Sequence, residues 1–163
     1  MDVGVENIEL GGSVLMLTPG SLIRRLNQIH QALFSEEADK FGITLVQVSV
    51  LAAISRQSGR DQSSIAAEVG ADKATLASVV ARLEAAALIR RVVCKMDQRQ
   101  KLLSLTTKGK KLLEKMQGPL ERANRRTLEP LAPAERDVFV SLLLALVNGG
   151  NENARTKLRL SAE

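Results

Sequence analysis

Apolar residues recur every three or four positions through most of the chain, a spacing that predicts amphipathic α-helices. The first such stretch covers about 19–41 and ends at Gly42. Thr44 and Gln47 then have the spacing of a capping box, in which each side chain bonds the other residue's backbone amide. We therefore expect a long first helix, followed by a second helix over about 45–56.

Two short helical stretches come next, over about 62–69 and 73–87. Gly70 ends the first of them, and Asp72 is placed to cap the second. The second stretch is apolar on one side and carries Lys, Thr, Ser and Arg on the other. Two helices at this spacing predict a helix-turn-helix, whose second helix lies in the major groove of DNA.

The composition becomes β-branched and basic after Leu88. Segments 89–95 and 101–105 predict two strands that flank a polar tip, 96–100, and so form a hairpin. A hairpin directly after a helix-turn-helix is a wing. Its basic tip can enter the minor groove beside the major groove that the helix occupies.

The C-terminal part is again helical. A long pattern begins at Thr106, and Gly118-Pro119 should kink or break it. Pro133 suits the first turn of a last helix, over about 134–147. The first and last helices are apolar enough on one face to leave exposed apolar surface on a monomer, so we interpret them as a dimerisation layer.

These elements predict a mainly α protein with a small β-hairpin wing. The expected parts are a flexible N-terminal arm (1–17), a helical dimerisation region (18–43 and 106–148), a winged helix-turn-helix DNA-binding domain (44–105) and a C-terminal tail (149–163). No apolar run reaches the roughly 18 residues of a membrane span, and the first residues are acidic rather than basic. We therefore expect a soluble, cytoplasmic protein with no membrane partner.

Composition narrows the chemistry. The only aromatic residues are three Phe, and the chain has one His and one Cys. The core must then be aliphatic, which suits helix-on-helix packing. A Cys/His zinc set cannot be assembled, and only one Cys-His pair is possible. We expect no metal site, no cofactor and no enzymatic activity.

Charge is concentrated in the middle of the chain. Between Arg56 and Lys111, twelve Lys and Arg residues face five acidic ones, so this segment carries +7 in a chain of net charge +5. Positive excess confined to one region is typical of a face that meets a polyanion, although a solvated basic surface would look the same.

The wing carries a recognisable pattern, Asp97-x-Arg99 followed by Leu105-Thr106-x-x-Gly109. With the order of the elements over about 22–147, this pattern resembles the MarR (multiple antibiotic resistance regulator) family. Three further motifs are similar to the subgroup that controls aromatic-acid catabolism. They are Phe41-Gly-Ile-Thr44-x-x-Gln47, Asp61-Gln62 and Val80-x-Arg82-Leu83-Glu84-x-x-x-Leu88-Ile89. The chain departs from the family at Gln98, where a second Arg is usual.

The resemblance implies a homodimeric winged-helix repressor that binds a pseudo-palindromic operator in double-stranded DNA. A small molecule, commonly a phenolic or aromatic acid or its CoA thioester, would bind between the dimerisation and DNA-binding layers and release the operator. The alternatives are a winged-helix adaptor that binds an acidic protein and a regulator that senses oxidants through cysteine.

The predicted DNA contacts lie on the third and fourth helices and on the wing. They are Gln62, Ser63, Lys73, Ala74, Thr75, Ser78, Arg82, Lys95, Asp97, Gln98 and Arg99. Arg99 would enter the minor groove or pair with phosphate, held by Asp97. Arg82 could instead pair with a wing residue such as Asp97, and Gln62 and Ser63 could simply cap their helix.

The predicted effector contacts are Arg25, His30, Phe34 and Gln47. His30 lies inside the apolar arc of the first helix, where a histidine is more often a satisfied core or interface residue than a ligand contact. Bound to an anionic effector, it would supply one of the donors that a buried carboxylate needs. Cys94 is either a redox switch or, as we favour, an inert thiol among Val92 and Val93.

Overall fold

Six α-helices and two antiparallel strand pairs make up the described part of the chain. The structure, a computed structural model, describes residues 9–10, 13–14, 18–56, 59–93 and 101–154. In chain order the elements are β1 (Glu9–Leu10), β2 (Ser13–Val14), α1 (Pro19–Ala38), a 3-10 turn (Asp39–Phe41), α2 (Leu45–Arg56), α3 (Gln62–Val69), α4 (Lys73–Ala85), β3 (Ile89–Val93), β4 (Lys101–Leu105), α5 (Thr107–Leu128), α6 (Pro133–Gly150) and a closing 3-10 turn (Asn151–Asn153). The predicted mainly α fold with a hairpin wing is confirmed.

Polar caps begin several of these helices where the sequence predicts them. The capping box before α2 is present, because the backbone amide of Thr44 donates to Gln47 Oε1 at 2.8 Å and that of Gln47 to Thr44 Oγ1 at 3.4 Å. Asp72 accepts the backbone amide of Thr75 at 2.8 Å at the start of α4. Each cap satisfies amides that the first helical turn leaves without partners.

The core is aliphatic and is centred on α2. Its largest fully buried side chains include Leu51 and Ile54 from α2, Leu83 from α4, Leu103 from β4 and Met116 from α5. The helices α1 and α5 pack along each other, while α2 contacts α3, α4, α5 and β4. The scarcity of aromatic residues is therefore met by close packing of branched aliphatic side chains.

The wing strands β3 and β4 pair antiparallel, with Ile89 opposite Leu105 and Val93 opposite Lys101. A third segment joins their edge. The amide of Gly59 donates to the Leu103 carbonyl at 3.0 Å, and the amide of Leu103 donates to the Arg60 carbonyl at 2.9 Å. The segment that precedes α3, Gly59 and Arg60, is thus hydrogen-bonded to β4 of the wing.

Several boundaries differ from the sequence predictions. Helix α5 is not broken at Pro119, which is itself buried with Met116 and Ala123. Burial against neighbouring elements outweighs the lost hydrogen bond of the proline. The strands β1 and β2 lie within the predicted flexible arm, and α6 with its closing turn runs into the predicted tail as far as Asn153.

The last turn of α4 is shorter than predicted. The helix ends at Ala85, and Ala87 adopts the left-handed region with φ of 56°. The amide of Leu88 donates to the Leu83 carbonyl at 2.9 Å across this end. An alanine carries no stop signal, so the sequence pattern extended the helix through residue 87.

No single helix among the described residues is long and apolar enough to cross a bilayer, and only the bent pair Pro19–Phe41 and Leu45–Arg56, taken together, reaches the required length and composition.

Candidate functional site

Helix α4 separates its residues cleanly into two faces. Leu76, Val79, Val80 and Leu83 are buried in the core. The exposed positions of the helix include all of its predicted DNA contacts, together with three further alanines: Lys73, Ala74, Thr75, Ala77, Ser78, Ala81, Arg82 and Ala85. The structure thus brings the predicted major-groove contacts of α4 together on one solvent-facing surface.

One of these side chains already has an intramolecular role. The hydroxyl of Thr75 donates to Asp72 Oδ2 at 2.9 Å, beside the capping bond from its backbone amide. Its oxygen can still accept a hydrogen bond from a base or a backbone donor. Asp72 therefore holds the start of α4 and orients Thr75 at the same time.

At the start of α3 the cap is Asp61. Its Oδ1 accepts the backbone amide of Ser64 at 2.9 Å, and its Oδ2 accepts the Ser64 hydroxyl at 3.0 Å. The bond from the Ser64 backbone amide, reinforced by that from its hydroxyl, holds the pKa of Asp61 below its ordinary value of 3.8. With Asp61 in this role, the side chains of Gln62 and Ser63 are not needed as caps.

The wing tip lies outside the described residues. The predicted contacts Lys95, Asp97, Gln98 and Arg99 fall there, as does Cys94. On the described part of β3, Arg91 Nε lies 3.1 Å from Glu84 Oε2 of α4. This ion pair links the wing to α4 and assigns Arg91 a bracing role.

Helix α3 carries a buried carboxylate, Glu68, that the sequence reasoning missed. The Glu68 side chain is only 5% exposed and forms ion pairs with Arg56 and Arg60. Arg60 also donates to the Ser64 carbonyl at 3.0 Å. Because the backbone of Arg60 pairs with Leu103 of β4, this cluster joins α3 to the wing. The sequence carried one signal of this buried cluster, because Glu68 lies three positions, about one helical turn, after Ile65, which is buried.

Contacts at the base of the wing account for Thr106 and Gly109 in the motif Leu105-Thr106-x-x-Gly109. The amide of Thr106 donates to the Leu88 carbonyl at 3.0 Å, and its hydroxyl donates to the Ala87 carbonyl at 2.8 Å. The backbone of Gly109 lies directly against the backbone of Leu88, so a Cβ at Gly109 would fall 2.1 Å from the Leu88 carbonyl oxygen. Thr106 and Gly109 are therefore needed to seat α5 on the wing.

His30 lines a cavity of about 490 Å³ between α1, α5 and α6. Its Nδ1 lies 2.8 Å from Thr127 Oγ1, and the Thr127 hydroxyl donates to the Ala123 carbonyl at 2.8 Å. Since a hydroxyl has a single proton, the tautomer that keeps the Thr127–Ala123 bond is the one in which Nδ1–H of His30 donates to Thr127. The Nε2 atom then carries the lone pair. Asn27 and Asn124 add amide groups to the otherwise mainly apolar wall.

The other predicted effector residues do not share this cavity. Phe34 is buried in the core and borders a separate cavity between α1 and α2. Gln47 lines a third cavity near the end of α4, where the capping box orients it. Arg25 is exposed and donates to Gln28 Oε1 at 3.4 Å. Helical spacing placed Arg25, His30 and Phe34 on one arc of α1 or at its edge, and Gln47 at the start of α2, but the packing of the helices separates them.

The surface of α6 is unusual for a helix of this length. None of its 18 residues is buried, and Val138, Leu142 and Leu146 are 58%, 60% and 65% exposed. Leu22 and Ile23 of α1 are also at least half exposed. The two helices leave an extended apolar surface on a single chain.

Comparisons with known proteins agree with this arrangement. A family model described as the MarR family matches residues 41–100. The transcriptional regulator HosA of Escherichia coli O157:H7 is 30% identical over 126 residues, which cover 77% of this chain and 92% of HosA.

Two solved structures share the fold. BpsR of Bordetella bronchiseptica, studied for the regulation of its DNA binding by 6-hydroxynicotinic acid, is 31% identical with a TM-score of 0.76, covering 83% of this chain and 97% of BpsR. The transcriptional repressor CouR, bound to a 23-mer DNA duplex, is 26% identical with a TM-score of 0.76, covering 85% of this chain and 99% of CouR.

Proposed function

Because this chain belongs to the MarR family of transcriptional regulators, we propose that it is a repressor that binds a pseudo-palindromic operator in double-stranded DNA as a homodimer. A small aromatic acid or its CoA thioester releases the operator. The protein acts where the operator is found, in the cytoplasm.

The exposed face of α4 is the observation that carries the proposal. Lys73 and Arg82 lie at its two ends and can neutralise phosphates, while Ser78 lies between them and can reach base edges. The bracing contacts of Arg91 and Arg60 hold the wing beside this helix. CouR, which has the same fold, is a repressor that was solved on DNA.

The exposed apolar surface of α6 and α1 supports the homodimer. A second copy would cover Leu142 and Leu146 and remove apolar area from water. A two-fold dimer would then place two α4 helices in successive major grooves, roughly 34 Å apart.

The cavity at His30 supports an aromatic effector. Nε2 of the Nδ1–H tautomer is an acceptor, so it suits a hydroxyl group on the ligand. The amides of Asn27 and Asn124 can donate to a carboxylate, and Phe139 and Leu143 form apolar wall. A hydroxylated aromatic acid combines these groups. DNA binding by BpsR is regulated by a molecule of this type, 6-hydroxynicotinic acid.

Release requires the effector to favour a dimer whose two α4 helices are wrongly spaced. The cavity is built from α1, α5 and α6, and two of these helices, α1 and α6, also carry the proposed interface. A ligand there can therefore change the angle between subunits. A 100-fold difference in its affinity for the two dimer states corresponds to about 2.7 kcal/mol.

Gel shifts with the protein's own upstream DNA across a salt series test the DNA-binding proposal. We expect the affinity to fall steeply with salt, and Lys73→Ala to reduce the log–log slope by about 1.8, which is about 0.9 for each subunit of the dimer. Lys40→Ala, an exposed lysine outside the helix-turn-helix, is the matched control and should leave the slope unchanged. Equal retention of scrambled DNA would instead favour an adaptor that binds an acidic protein.

Melting scans with 6-hydroxynicotinate and benzoate test the effector proposal. The hydroxylated acid should stabilise the protein by about 2.7 kcal/mol at 100 times its dissociation constant. His30→Ala should abolish that shift, whereas Gln47→Ala, in another cavity, should keep it. Stabilisation that survives His30→Ala would place the effector elsewhere.

A further inference from the structure

An arginine at each edge of the wing sheet is paired with a carboxylate of the helix-turn-helix. Arg60 bridges Leu103 of β4, and Leu103 lies opposite Arg91 of β3, so the three residues form one row across the sheet. At one end of the row Arg60 pairs with Glu68 of α3, and at the other end Arg91 pairs with Glu84 of α4. Each edge of the wing is therefore tied to one of the two helices.

The two ties differ in burial. The side chains of Glu68 and Arg60 are largely shielded from water, whereas those of Glu84 and Arg91 are both partly exposed. Solvent screens the second pair, so it contributes little free energy. Glu68 is the only buried charged residue among those that the structure describes. The pair at Glu68 is thus the rigid tie of the wing.

The contacts of Arg60 fix direction as well as distance. Its guanidinium pairs with Glu68 Oε2 and donates to the Ser64 carbonyl at 3.0 Å, so it holds α3 at two points one turn apart. Its own carbonyl accepts the amide of Leu103 at 2.9 Å. Because a guanidinium presents its donors in a rigid plane, these contacts admit one orientation. The position of β4 relative to α3 therefore depends on a single residue.

Stability alone does not explain a buried ion pair at this position. Taking two charges out of water costs free energy that their attraction only partly offsets, and apolar side chains of similar volume are often as stable. Apolar contacts, however, are non-directional. We propose that the Arg60–Glu68 pair positions the wing rather than stabilises the fold, and that Glu68, acting through Arg60, is a positioning residue for operator binding. This inference rests on the proposed DNA binding.

The row lies close to the predicted tip of the wing. Strand β3 runs two residues beyond Arg91, to Val93, and β4 begins two residues before Leu103, at Lys101. A rotation at the row displaces the strands more with each residue, because a strand rises about 3.3 Å per residue. The sequence predicts that the tip, 96–100, meets the minor groove. Loss of the pair should therefore remove minor-groove contacts and leave α4 in the major groove.

Replacement of the whole pair separates positioning from stability. In Arg60→Met/Glu68→Leu, apolar side chains replace both ions, and Arg56, which is mostly exposed, returns to water. The melting temperature should stay within about 4 °C of the parent. Operator affinity in gel shifts should nevertheless fall about tenfold, through loss of a charge-assisted contact in each subunit. The net charge is unchanged, so weaker long-range attraction to DNA cannot cause that loss.

Footprints show which contact is lost. Hydroxyl-radical protection of the minor groove beside each half-site should disappear in Arg60→Met/Glu68→Leu, whereas protection of guanine N7 from dimethyl sulphate in the major groove should remain. A purely structural role would weaken both together. Glu37→Leu/Arg122→Met, which replaces an ion pair between α1 and α5 outside the helix-turn-helix, is the matched control. It should change operator affinity less than twofold.

Hydrogen exchange tests the same tie without DNA. The amides of Gly59 and Leu103 join the Arg60 segment to β4, and they should exchange at least tenfold faster in Arg60→Met/Glu68→Leu. Amides bonded between β3 and β4 should keep their rates, since that ladder does not involve the pair.

Three outcomes would overturn the proposal. They are a stable Arg60→Met/Glu68→Leu protein with the affinity and footprint of the parent, equal losses of affinity in the two double variants, and unfolding of Arg60→Met/Glu68→Leu, which would assign the pair to stability. If the parent binds no operator, the proposed function fails. Faster exchange at Gly59 and Leu103 would then still support positioning of the wing by the pair, and unchanged exchange would exclude it.

Discussion

A methyl group added at Gly109 should destabilise the protein, whereas the same change at Gly20 should stabilise it. Both glycines lie in the first turn of a helix, α5 and α1 respectively. A Cβ at Gly20 would have no atom within 4 Å, while one at Gly109 would lie 2.1 Å from the Leu88 carbonyl oxygen and 3.0 Å from its carbonyl carbon. The two sites therefore differ in surroundings rather than in helical position.

The size of the loss follows from what must move at Gly109. Relief of the overlap with backbone atoms costs about 1–3 kcal/mol. Moving the Leu88 carbonyl also weakens its bond from the Thr106 amide, at 3.0 Å, which is worth about 1 kcal/mol. The better helix propensity of alanine returns about 1 kcal/mol. We expect a net loss of about 1–3 kcal/mol for Gly109→Ala and a gain of about 0.4–1 kcal/mol for Gly20→Ala.

Urea unfolding followed by circular dichroism at 222 nm measures both effects. All proteins are compared at one concentration, because a dimer's stability depends on it. Operator binding by Gly109→Ala should also fall, since the shifted strand carries the wing. A Gly109→Ala protein as stable as the parent, or a Gly20→Ala protein that loses as much, would refute the reasoning.

Three further effects are expected. Glu68→Gln leaves Arg60, itself only 16% exposed, without its buried counter-charge, so the free energy of unfolding in urea should fall by about 2–3 kcal/mol. Glu84→Gln, the control at an exposed ion pair, should lower it by less than about 1 kcal/mol. Equal losses in the two variants would contradict this account. Ala87→Gly relieves a φ of 56° and should raise stability by about 1 kcal/mol, with no gain as the contrary result. Because the pKa of Asp61 is lowered in the folded protein, its charge stabilises the fold above about pH 4, and this contribution is lost as the pH falls through the folded pKa. In Asp61→Asn, the free energy of unfolding should therefore fall less steeply with decreasing pH in the acid range. An unchanged pH dependence would exclude this contribution.

Local signals in the sequence predicted the DNA-binding half well. The starts of α2, α3 and α4 agree with the structure because short-range capping groups, such as Thr44 with Gln47 and Asp72, define them. The two faces of α4 follow directly from helical periodicity. The wing strands were bounded by a change in composition, and their register agrees with a hairpin.

Boundaries decided by distant contacts were predicted less well. Pro119 is a helix breaker by local rules, yet burial keeps it within α5. Ala87 ends α4 through a left-handed conformation that its side chain disfavours, held by Thr106 from the next helix. The buried cluster around Glu68 likewise depends on Arg56 and Arg60, which come from outside its own helix.

The effector residues show the same limit. His30 and Phe34 are one helical turn apart, and periodicity alone assigns them to one arc of α1. In the folded chain, α5 and α6 meet the histidine side while the core takes the phenylalanine, so they border different cavities.

The sequence by itself determined the class of fold, the helix-turn-helix with its wing, the polar exposed side of α4 and the exposed apolar last helix. Each of these rests on periodicity, capping or charge within a few residues of one another. Only the tertiary structure decided which side chains share a cavity, which carboxylate is buried and that position 109 has no room for a side chain. Those properties arise where segments distant in the chain come within contact distance, and no local pattern encodes that distance.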